Sequence, residues 1–273
     1  PAHRPIRRQH PCKAMELFDT HTHLDDEQFG GDVGDVIERA GQAGVTALLT
    51  VGTTRASSEA AVSIARAHPR SVWAAVGIQP NYGQAASSED WDSIVALARA
   101  PQVRAIGETG LDAYWDFTPL EVQQRLFAAH LQLAQALNLP VIVHMRDCEQ
   151  LTLGMLREAA ARGPLRGVMH SFSGTPDLAQ QCLALGFHLS FAGMVTFKKS
   201  DALREIARTI PDDRLLLETD APYLTPHPHR GRRPNEPALL VHTAECVARV
   251  RGVPLATLAD TTRDNARQLF LGQ

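Results

Sequence analysis

Four histidines and two carboxylates are the residues of this sequence best suited to chemistry. They occur in five short segments, FDTHTHLD, IGETGLD, VIVHMRD, MHSFSG and ETDAPYL. Imidazole and carboxylate groups together form the ligand set of many divalent metal sites. Each segment alone has an ordinary explanation, such as a surface HxH pair or a core histidine, so the prediction depends on all five converging. The candidate ligands are His21, His23, Glu108, His144, His170 and Asp220.

The six candidate donors exceed the four ligands that one tetrahedral zinc ion uses. We therefore predict two divalent ions, Mg²⁺, Mn²⁺ or Zn²⁺, bridged by a carboxylate. Such pairs lie about 3.5–4 Å apart and hold the attacking and leaving oxygens during displacement at phosphorus. Asp220 and Glu108 are the predicted catalytic carboxylates, and Asp220 is expected to accept the proton of the attacking water. The predicted ligands are His21, His23 and Asp220 for one ion, His144 and His170 for the other, and Glu108 as the bridge.

The candidate ligands follow or end short β-rich segments that alternate with Ala-rich, amphipathic segments. The predicted strands are Glu16–Thr20, Val45–Val51, Val72–Gly77, Val103–Gly107, Pro140–His144, Gly167–His170, Phe187–Phe191 and Arg214–Glu218. Strict β/α alternation indicates a parallel sheet, and a count of eight favours a closed (β/α)₈ TIM barrel over an open doubly wound sheet. Active sites of such barrels lie at the carboxyl ends of the strands, so the fold would bring the candidates together.

The predicted helices connect these strands, and a final one would close an end of the barrel. They include Val33–Ala43, Ser57–Ala67, Trp91–Ala100, Leu120–Leu137, Asp177–Leu185, Ala202–Arg208 and, at the end, roughly Pro254–Leu271. Residues 15–273 are expected to form a single hydrolase domain. Residues 1–14 are basic and Pro-rich, which predicts a disordered tail and a native start at Met15.

Composition narrows the class of protein without naming a function. The formal net charge of -3 does not indicate a nucleic-acid binder, so phosphate recognition would need a local patch or bound metal. The four cysteines form no CxxC pair, which is typical of reduced thiols in a cytoplasmic protein. The apolar runs are too short to span a bilayer. We expect a cytoplasmic protein without a membrane partner and take it to be a monomer.

Together the five segments resemble the motifs of the TatD family of metal-dependent deoxyribonucleases, from Leu17 to the C-terminal NARQLF. This resemblance implies a barrel of the amidohydrolase type and ligand roles for the same six residues. It also implies metal-dependent DNA hydrolysis, and we expect a 3′–5′ exodeoxyribonuclease that acts on single-stranded DNA or 3′ ends.

One position departs from the family pattern. Relatives commonly read GIHP where this chain has Gly77-Ile78-Gln79-Pro80. The resemblance implies that the residue at position 79 meets the substrate phosphate. Gln79 can donate a hydrogen bond but cannot become cationic or transfer a proton. Either the substitution is neutral, or it changes phosphate affinity, its pH dependence or the substrate.

Further residues are expected around these ligands. Arg146, His229 and Arg230 are predicted to contact the phosphate backbone, the latter two from a basic loop that follows Asp220. Glu218 and Asp19 are predicted to orient a histidine or a metal-bound water. The alternatives are an internal ion pair for Arg146, a solvated loop for His229 and Arg230, and a structural role for both carboxylates.

Two other functions remain open. A small-molecule amidohydrolase or lactonase can use the same barrel and ligands, because the fold does not decide the substrate. Against it, Glu108 and not a lysine stands at the end of the fourth predicted strand. A non-catalytic scaffold predicts gaps in the ligand set, and the sequence shows none.

Overall fold

The computed structural model describes residues 15–273, so the predicted tail at residues 1–14 lies outside the described part. Eight strands alternate along the chain with α-helices. The strands are β1 (Leu17–Thr22), β2 (Val45–Val51), β3 (Val72–Val76), β4 (Val103–Asp112), β5 (Val141–Arg146), β6 (Gly167–Met169), β7 (His188–Phe191) and β8 (Leu215–Leu217). The helices are α1 (Val33–Gln42), α2 (Arg55–Ala67), α3 (Ser88–Leu97), α4 (Leu120–Leu137), α5 (Glu149–Arg162), α6 (Pro176–Ala184), α7 (Asp201–Thr209), α8 (Leu240–Arg251) and α9 (Leu255–Leu271).

The strands form one parallel sheet in chain order, and its two edges meet. Thr22 at the end of β1 forms a parallel bridge with Ala221 just after β8. The amide of Asp220 donates to the carbonyl of His21 at 2.9 Å, and the amide of His23 donates to the carbonyl of Ala221 at 2.8 Å. These bonds join the first strand to the last, which confirms the (β/α)₈ barrel and excludes the open sheet.

Alternate residues of most strands belong to different apolar layers. Ile142, Val168 and Leu216 belong to an inner cluster that includes no residue from α1 to α8. Their neighbours, such as Val141 and Val143, belong to a larger cluster shared with the surrounding helices. Burial on both faces is the reason why these strands are continuously apolar in sequence.

The final helix closes the amino-terminal end of the barrel. Ala266, Leu269 and Phe270 of α9 complete the inner cluster, and the Phe270 ring lies 6.2 Å from that of Phe18 at the start of β1. The opposite, carboxyl-terminal end of the strands therefore stays open for a site.

The main corrections to the predicted elements concern strand ends. β4 continues to Asp112, five residues beyond the predicted end at Gly107, and β1 continues through Thr22. Glu108 and His21 therefore lie within strands. The glycine-rich segment GETGLD looks like a turn in sequence, but its pairing with β5 keeps it extended, with Gly110 opposite His144. Helices α5 and α8 were not among those named from the sequence.

Residues 15–273 contain no helix that combines the length and the apolar character needed to cross a membrane.

A buried histidine joins α4 to the backbone that follows β3. His130 Nε2 accepts a hydrogen bond from the amide of Ile78 at 3.0 Å, and Nδ1 donates to the Leu126 carbonyl at 2.7 Å. Both bonds require the neutral ring, and burial lowers the pKa of His130 from 6.5 to about 4. The ring holds the segment that carries Gln79.

We expect His130→Leu to reveal this neutral histidine through the pH dependence of stability. At pH 7 the variant should lose about 1–3 kcal/mol, because the buried Ile78 amide loses its acceptor. The unfolded chain protonates this histidine near pH 6.5 while the folded chain resists down to about pH 4, so wild type loses this contribution as pH falls. The gap between the two proteins should narrow by about 2 kcal/mol from pH 7 to pH 5. Urea unfolding of both proteins in chelator measures it; a constant gap would contradict the assignment.

Candidate metal centre

An open cavity of about 980 Å³ lies at the carboxyl ends of the strands. Of the six predicted metal ligands, His21 lies fully buried beneath the cavity. The other five line it: His23, Glu108, His144, His170 and Asp220. The structure therefore brings all six predicted ligands together.

Two strands aim their ligands by simple alternation. Ile142 of β5 and Val168 of β6 face the barrel interior. Residues two positions further along an extended chain share a face. His144 and His170 therefore point into the mouth of the barrel, and Glu218 follows Leu216 of β8 in the same way.

β1 and β4 need irregularities to aim theirs. The pairing of β1 with β2 shifts register between Asp19 and Thr22, and that of β4 with β5 shifts between Ile106 and Thr109. An extra residue in one strand re-aims the side chains beyond it. These shifts turn His21, His23 and Glu108 inward, although uninterrupted alternation would place Glu108 on the opposite face from Ala105, which belongs to the inner cluster.

Gly110 is required where β4 and β5 approach closely beyond this shift. Its φ is +142°, and a Cβ there would lie 1.9 Å from the carbonyl oxygen of His144. Any other residue would push β5, and His144 with it, away from Glu108.

The carboxylate of Glu108 lies at the centre of the cluster, and its two oxygens face different histidine pairs. Oε1 lies 2.9 Å from His144 Nδ1 and 3.4 Å from His170 Nε2. Oε2 lies 3.4 Å from His21 Nε2 and 3.8 Å from His23 Nε2. The predicted assignment divides the histidines in the same way, and the binding of two ions stays a prediction.

Asp220 belongs to the second of these sets. Its Oδ1 lies 3.5 Å from His23 Nε2 and 3.7 Å from His21 Nε2. Its side chain is 14% exposed, so the carboxylate faces both the histidines and the cavity. Asp220 can therefore bind an ion and also reach a water in the cavity.

The donor atoms fit divalent cations. His23 Nδ1 donates to the Val51 carbonyl at 2.8 Å, which leaves the lone pair on Nε2. That atom lies 3.2 Å from His21 Nε2 and faces the carboxylates of Glu108 and Asp220. In the neutral rings, lone pairs and the negative charges of two carboxylates converge in one buried space, an arrangement that fits a divalent cation.

The pKa shifts within the cluster also show that it favours positive charge next to the carboxylates. Burial opposes ionisation of Glu108, yet the charge of His170 and hydrogen bonds from His144 and His170 hold its pKa well below the usual range. Burial disfavours the charged form of His170, but Glu108 raises the pKa of that imidazole well above its ordinary value. Burial is likewise overcome at His23, where Asp220 raises the pKa to about 9. The carboxylates stay ionised and attract positive charge.

Two carboxylates hold the histidines of the first set. Glu218 Oε1 lies 3.3 Å from His170 Nδ1 and accepts a hydrogen bond from the Ser171 amide at 2.6 Å. Asp112 Oδ2 lies 2.9 Å from His144 Nε2, which leaves Nδ1 directed at Glu108. A carboxylate partner fixes the tautomer and orientation of a metal-binding histidine.

Asp112 was not singled out from the sequence, because the predicted strand ended at Gly107. The signal that the sequence did offer was its place at the end of the IGETGLD segment. Its pairing with Arg146 is a feature of the folded sheet.

Among the described residues, Asp19 forms no hydrogen bond or ion pair with a histidine side chain and bonds to backbone amides and to Thr219. Its Oδ1 accepts hydrogen bonds from the amides of Thr219 at 2.9 Å and His21 at 3.3 Å, and Oδ2 accepts one from the Thr219 hydroxyl. Burial raises the pKa of Asp19 to about 7. This carboxyl ties β1 to the residue before Asp220.

Of the four predicted substrate contacts, two line the cavity. Gln79 is 8% exposed, and its Oε1 accepts a hydrogen bond from the Asn81 amide at 2.8 Å, which leaves its amide nitrogen free to donate. Arg146 also lines the cavity, with its guanidinium carbon 3.6 Å from the centre of the Tyr114 ring.

His229 and Arg230, the other two, do not line this cavity. His229 Nε2 lies 3.1 Å from His242 Nε2, and the Arg230 guanidinium stacks at 3.5 Å on Phe197. Partners within the protein hold both side chains, so their predicted contact with substrate gains no support from the geometry. The loop is anchored by Glu236, whose carboxylate pairs with Arg232 at 2.9 Å and with Arg39 of α1 at 2.8 Å.

Comparison with known proteins extends these observations. A family model described as TatD related DNase matches residues 18–271. The 3′-5′ ssDNA/RNA exonuclease TatD of Erwinia tasmaniensis is 39% identical over 258 residues, 93% of this chain and 99% of that protein. The uncharacterized metal-dependent hydrolase YabD of Bacillus subtilis is 39% identical over 254 residues, 93% of this chain and 98% of that protein.

A solved structure gives the same result for the fold. YjjV, a TatD homolog from Escherichia coli K12, superimposes with a TM-score of 0.87 at 29% identity, covering 93% of this chain and 98% of that one. The resemblance that the sequence motifs indicated is confirmed.

We expect Asp112→Asn to weaken one metal position selectively. Loss of the carboxylate partner of His144 should lower affinity for the ion held by His144 and His170 about 10–100-fold. The ion held by His21, His23 and Asp220 should be little affected. Titration with Mn²⁺ or Zn²⁺ against a competing chelator measures both affinities. Asp116→Asn, an exposed carboxylate on the same loop, is the control. Equal weakening of both ions, or wild type that binds one ion, would contradict the two-set arrangement.

Proposed function

We propose that this chain, which belongs to the TatD family of metal-dependent hydrolases, hydrolyses phosphodiester bonds in DNA as a 3′–5′ exonuclease with two bound ions. The observation that carries the proposal is the position of Glu108, whose two oxygens face separate histidine pairs at the base of an open cavity. A pair of ions so held suits displacement at phosphorus. The relative named as a 3′-5′ ssDNA/RNA exonuclease supports the direction and the single-stranded substrate.

The protein residues divide the work of this reaction. When bound, the ions supply Lewis acidity and lower the pKa of the attacking water. Glu108 holds the two ligand sets in register. Asp220, which faces both the histidines and the cavity, accepts the proton of the attacking water. The pKa of Asp220 is lowered despite burial, by hydrogen bonding to His23 and by neighbouring imidazoles, so this carboxylate is ionised at neutral pH.

Two side chains at the cavity wall suit the substrate phosphate. Within residues 15–273, no carboxylate forms an ion pair with Arg146, and its guanidinium keeps its donors while stacked on Tyr114. Gln79 offers an amide N–H from the opposite side of β4, on the segment after β3. We assign Arg146 the charge interaction with phosphate and Gln79 a neutral hydrogen bond.

The test is digestion of labelled single-stranded DNA by protein that is stripped of metal and refilled with Mg²⁺, Mn²⁺ or Zn²⁺. We expect a ladder that recedes from the 3′ end and depends on the added ion. Asp220→Ala should lower kcat about 10²–10⁴-fold, because the proton acceptor is lost, and Glu108→Ala should abolish cleavage.

Asp213→Ala serves as the control, since this exposed carboxylate precedes β8 at the far end of the barrel. If protein that binds two ions cleaves no DNA under any of these metals yet turns over amides or lactones, the small-molecule hydrolase is the correct function.

Gln79→His should change the pH dependence of substrate binding. A histidine at this position becomes cationic below about pH 6.5 and would then attract phosphate more strongly. We expect the KM of the variant, relative to wild type, to fall as pH is lowered from 8 to 6. Parallel KM profiles would show that residue 79 does not meet the phosphate.

A further inference from the structure

Exposed aromatic side chains gather at the mouth of the cavity. Among the described residues, six large hydrophobic side chains are exposed, and five of them are aromatic although aromatic residues make up 5% of the chain. Four of the five line the cavity: Tyr82, Trp115, Phe117 and Tyr223. Exposed apolar surface of this density marks an interaction site.

The aromatic residues of the loop between β4 and α4 form an ordered stack. The rings of Trp115 and Phe117 are nearly parallel, at an interplanar angle of 16° and a centroid distance of 5.3 Å. Tyr114 packs edge-on against Trp115 at 4.8 Å, and Arg146 covers a face of Tyr114. Phe117 is 59% exposed, the largest exposure of this group, so it ends the stack and presents a free surface.

The loop that carries the stack is held firmly at both ends. Gln123 of α4 is buried; its Oε1 accepts from the Asp112 amide at 2.8 Å, and its Nε2 donates to the carbonyls of Asp112 at 2.9 Å and Thr118 at 2.8 Å. Because the loop is constrained in this way, its backbone holds the hydrophobic side chains in exposed positions. Their exposure is not the result of local mobility.

One carboxylate connects the stack to the metal centre. Asp112 Oδ1 accepts hydrogen bonds from the amides of Tyr114 at 3.0 Å and Trp115 at 3.1 Å, while its Oδ2 holds His144. The position of the aromatic rings is therefore set relative to a metal ligand. A group that stacks on them is placed at a defined distance from the reacting phosphate.

We propose that Phe117, supported by Trp115, stacks on one unpaired nucleobase of the strand whose phosphate is cleaved, and thereby selects single-stranded nucleic acid. This inference rests on the proposed function. Every nucleobase, whatever its identity, has two flat faces that stack well on aromatic rings. A cation near the rings adds a cation–π contact. Arg146 beside the stack can hold the adjoining phosphate.

The preference for an unpaired base follows from the geometry of a duplex. Within a double helix both faces of an internal base are covered by its neighbours, so a base behind the terminal pair can stack on Phe117 only after it has left the helix. Stacking on a base does not depend on the sugar, so the aromatic rings would accept DNA and RNA alike. Phe117 is thus a specificity-determining residue and takes no part in the bond-breaking step.

The test uses the metal-loaded enzyme and oligonucleotides with 2-aminopurine at each of the last three positions in turn, their terminal linkages made phosphorothioate to slow hydrolysis. Stacking quenches the fluorescence of this base. We expect quenching at one position with wild type and Phe117→Tyr, and its loss with Phe117→Leu, which keeps the apolar bulk without the aromatic face.

Kinetics supply the second readout. Phe117→Leu should raise KM about tenfold on ordinary single-stranded DNA, as expected for losing one base stack. It should have no effect on an oligonucleotide that lacks the base at the quenched position, and kcat should change little. Leu120→Ala, the exposed aliphatic residue at the start of α4, is the control and should match wild type.

Two results would separate this inference from the proposed function. Wild type that cleaves DNA, with quenching and KM unaffected by Phe117→Leu, overturns the stacking role alone. Phe117-dependent quenching without cleavage under any metal supports the stacking surface and overturns the nuclease.

Discussion

A carboxylate buried among four imidazoles is the constraint on which this structure depends. An ionised group removed from water is costly unless opposite charge and hydrogen bonds replace its hydration. Glu108 meets that condition by dividing its two oxygens between two histidine pairs. A bound cation would add positive charge between the donors, so metal binding is expected to stabilise the barrel mouth.

Barrel closure and the metal centre are built from the same residues. The backbone of His21, His23 and Asp220 forms the hydrogen bonds that join β1 to β8. Asp19 adds a side-chain tie between the two strands through Thr219. Loss of closure would therefore separate the ligands, and the ligands in turn lie on the segments whose pairing completes the sheet. The opposite end is closed independently by α9, so the mouth is free to carry chemistry.

The surroundings of the site fit the proposed substrate, a charged and unpaired strand. An open cavity, a guanidinium with no carboxylate partner within residues 15–273, and a constrained row of aromatic rings suit a nucleic-acid strand better than a small amide. Asp112 connects the metal centre to the aromatic rings, because this single carboxylate orients His144 and also holds the backbone of the aromatic loop. In the proposed reaction Gln79 offers a neutral contact where the family resemblance implies an ionisable one, so phosphate recognition would rest more heavily on Arg146.

The alternation of strands and helices and the positions of His144 and His170 could be read from the sequence, because a period of two places every second residue of a regular strand on one face. The way in which His21, His23 and Glu108 reach the same space is visible in the folded chain alone, since the register shifts in β1 and β4 depend on pairing with distant strands. Asp112 lies in a glycine-rich segment whose sequence looks like a turn. Its role is evident from its contact with His144 of β5. His229 and Arg230 gained partners in His242 and Phe197, which no local pattern reveals. Local periodicity can be recognised from neighbouring residues, whereas bulges, ion pairs and ring stacks arise from contacts between residues far apart in the chain.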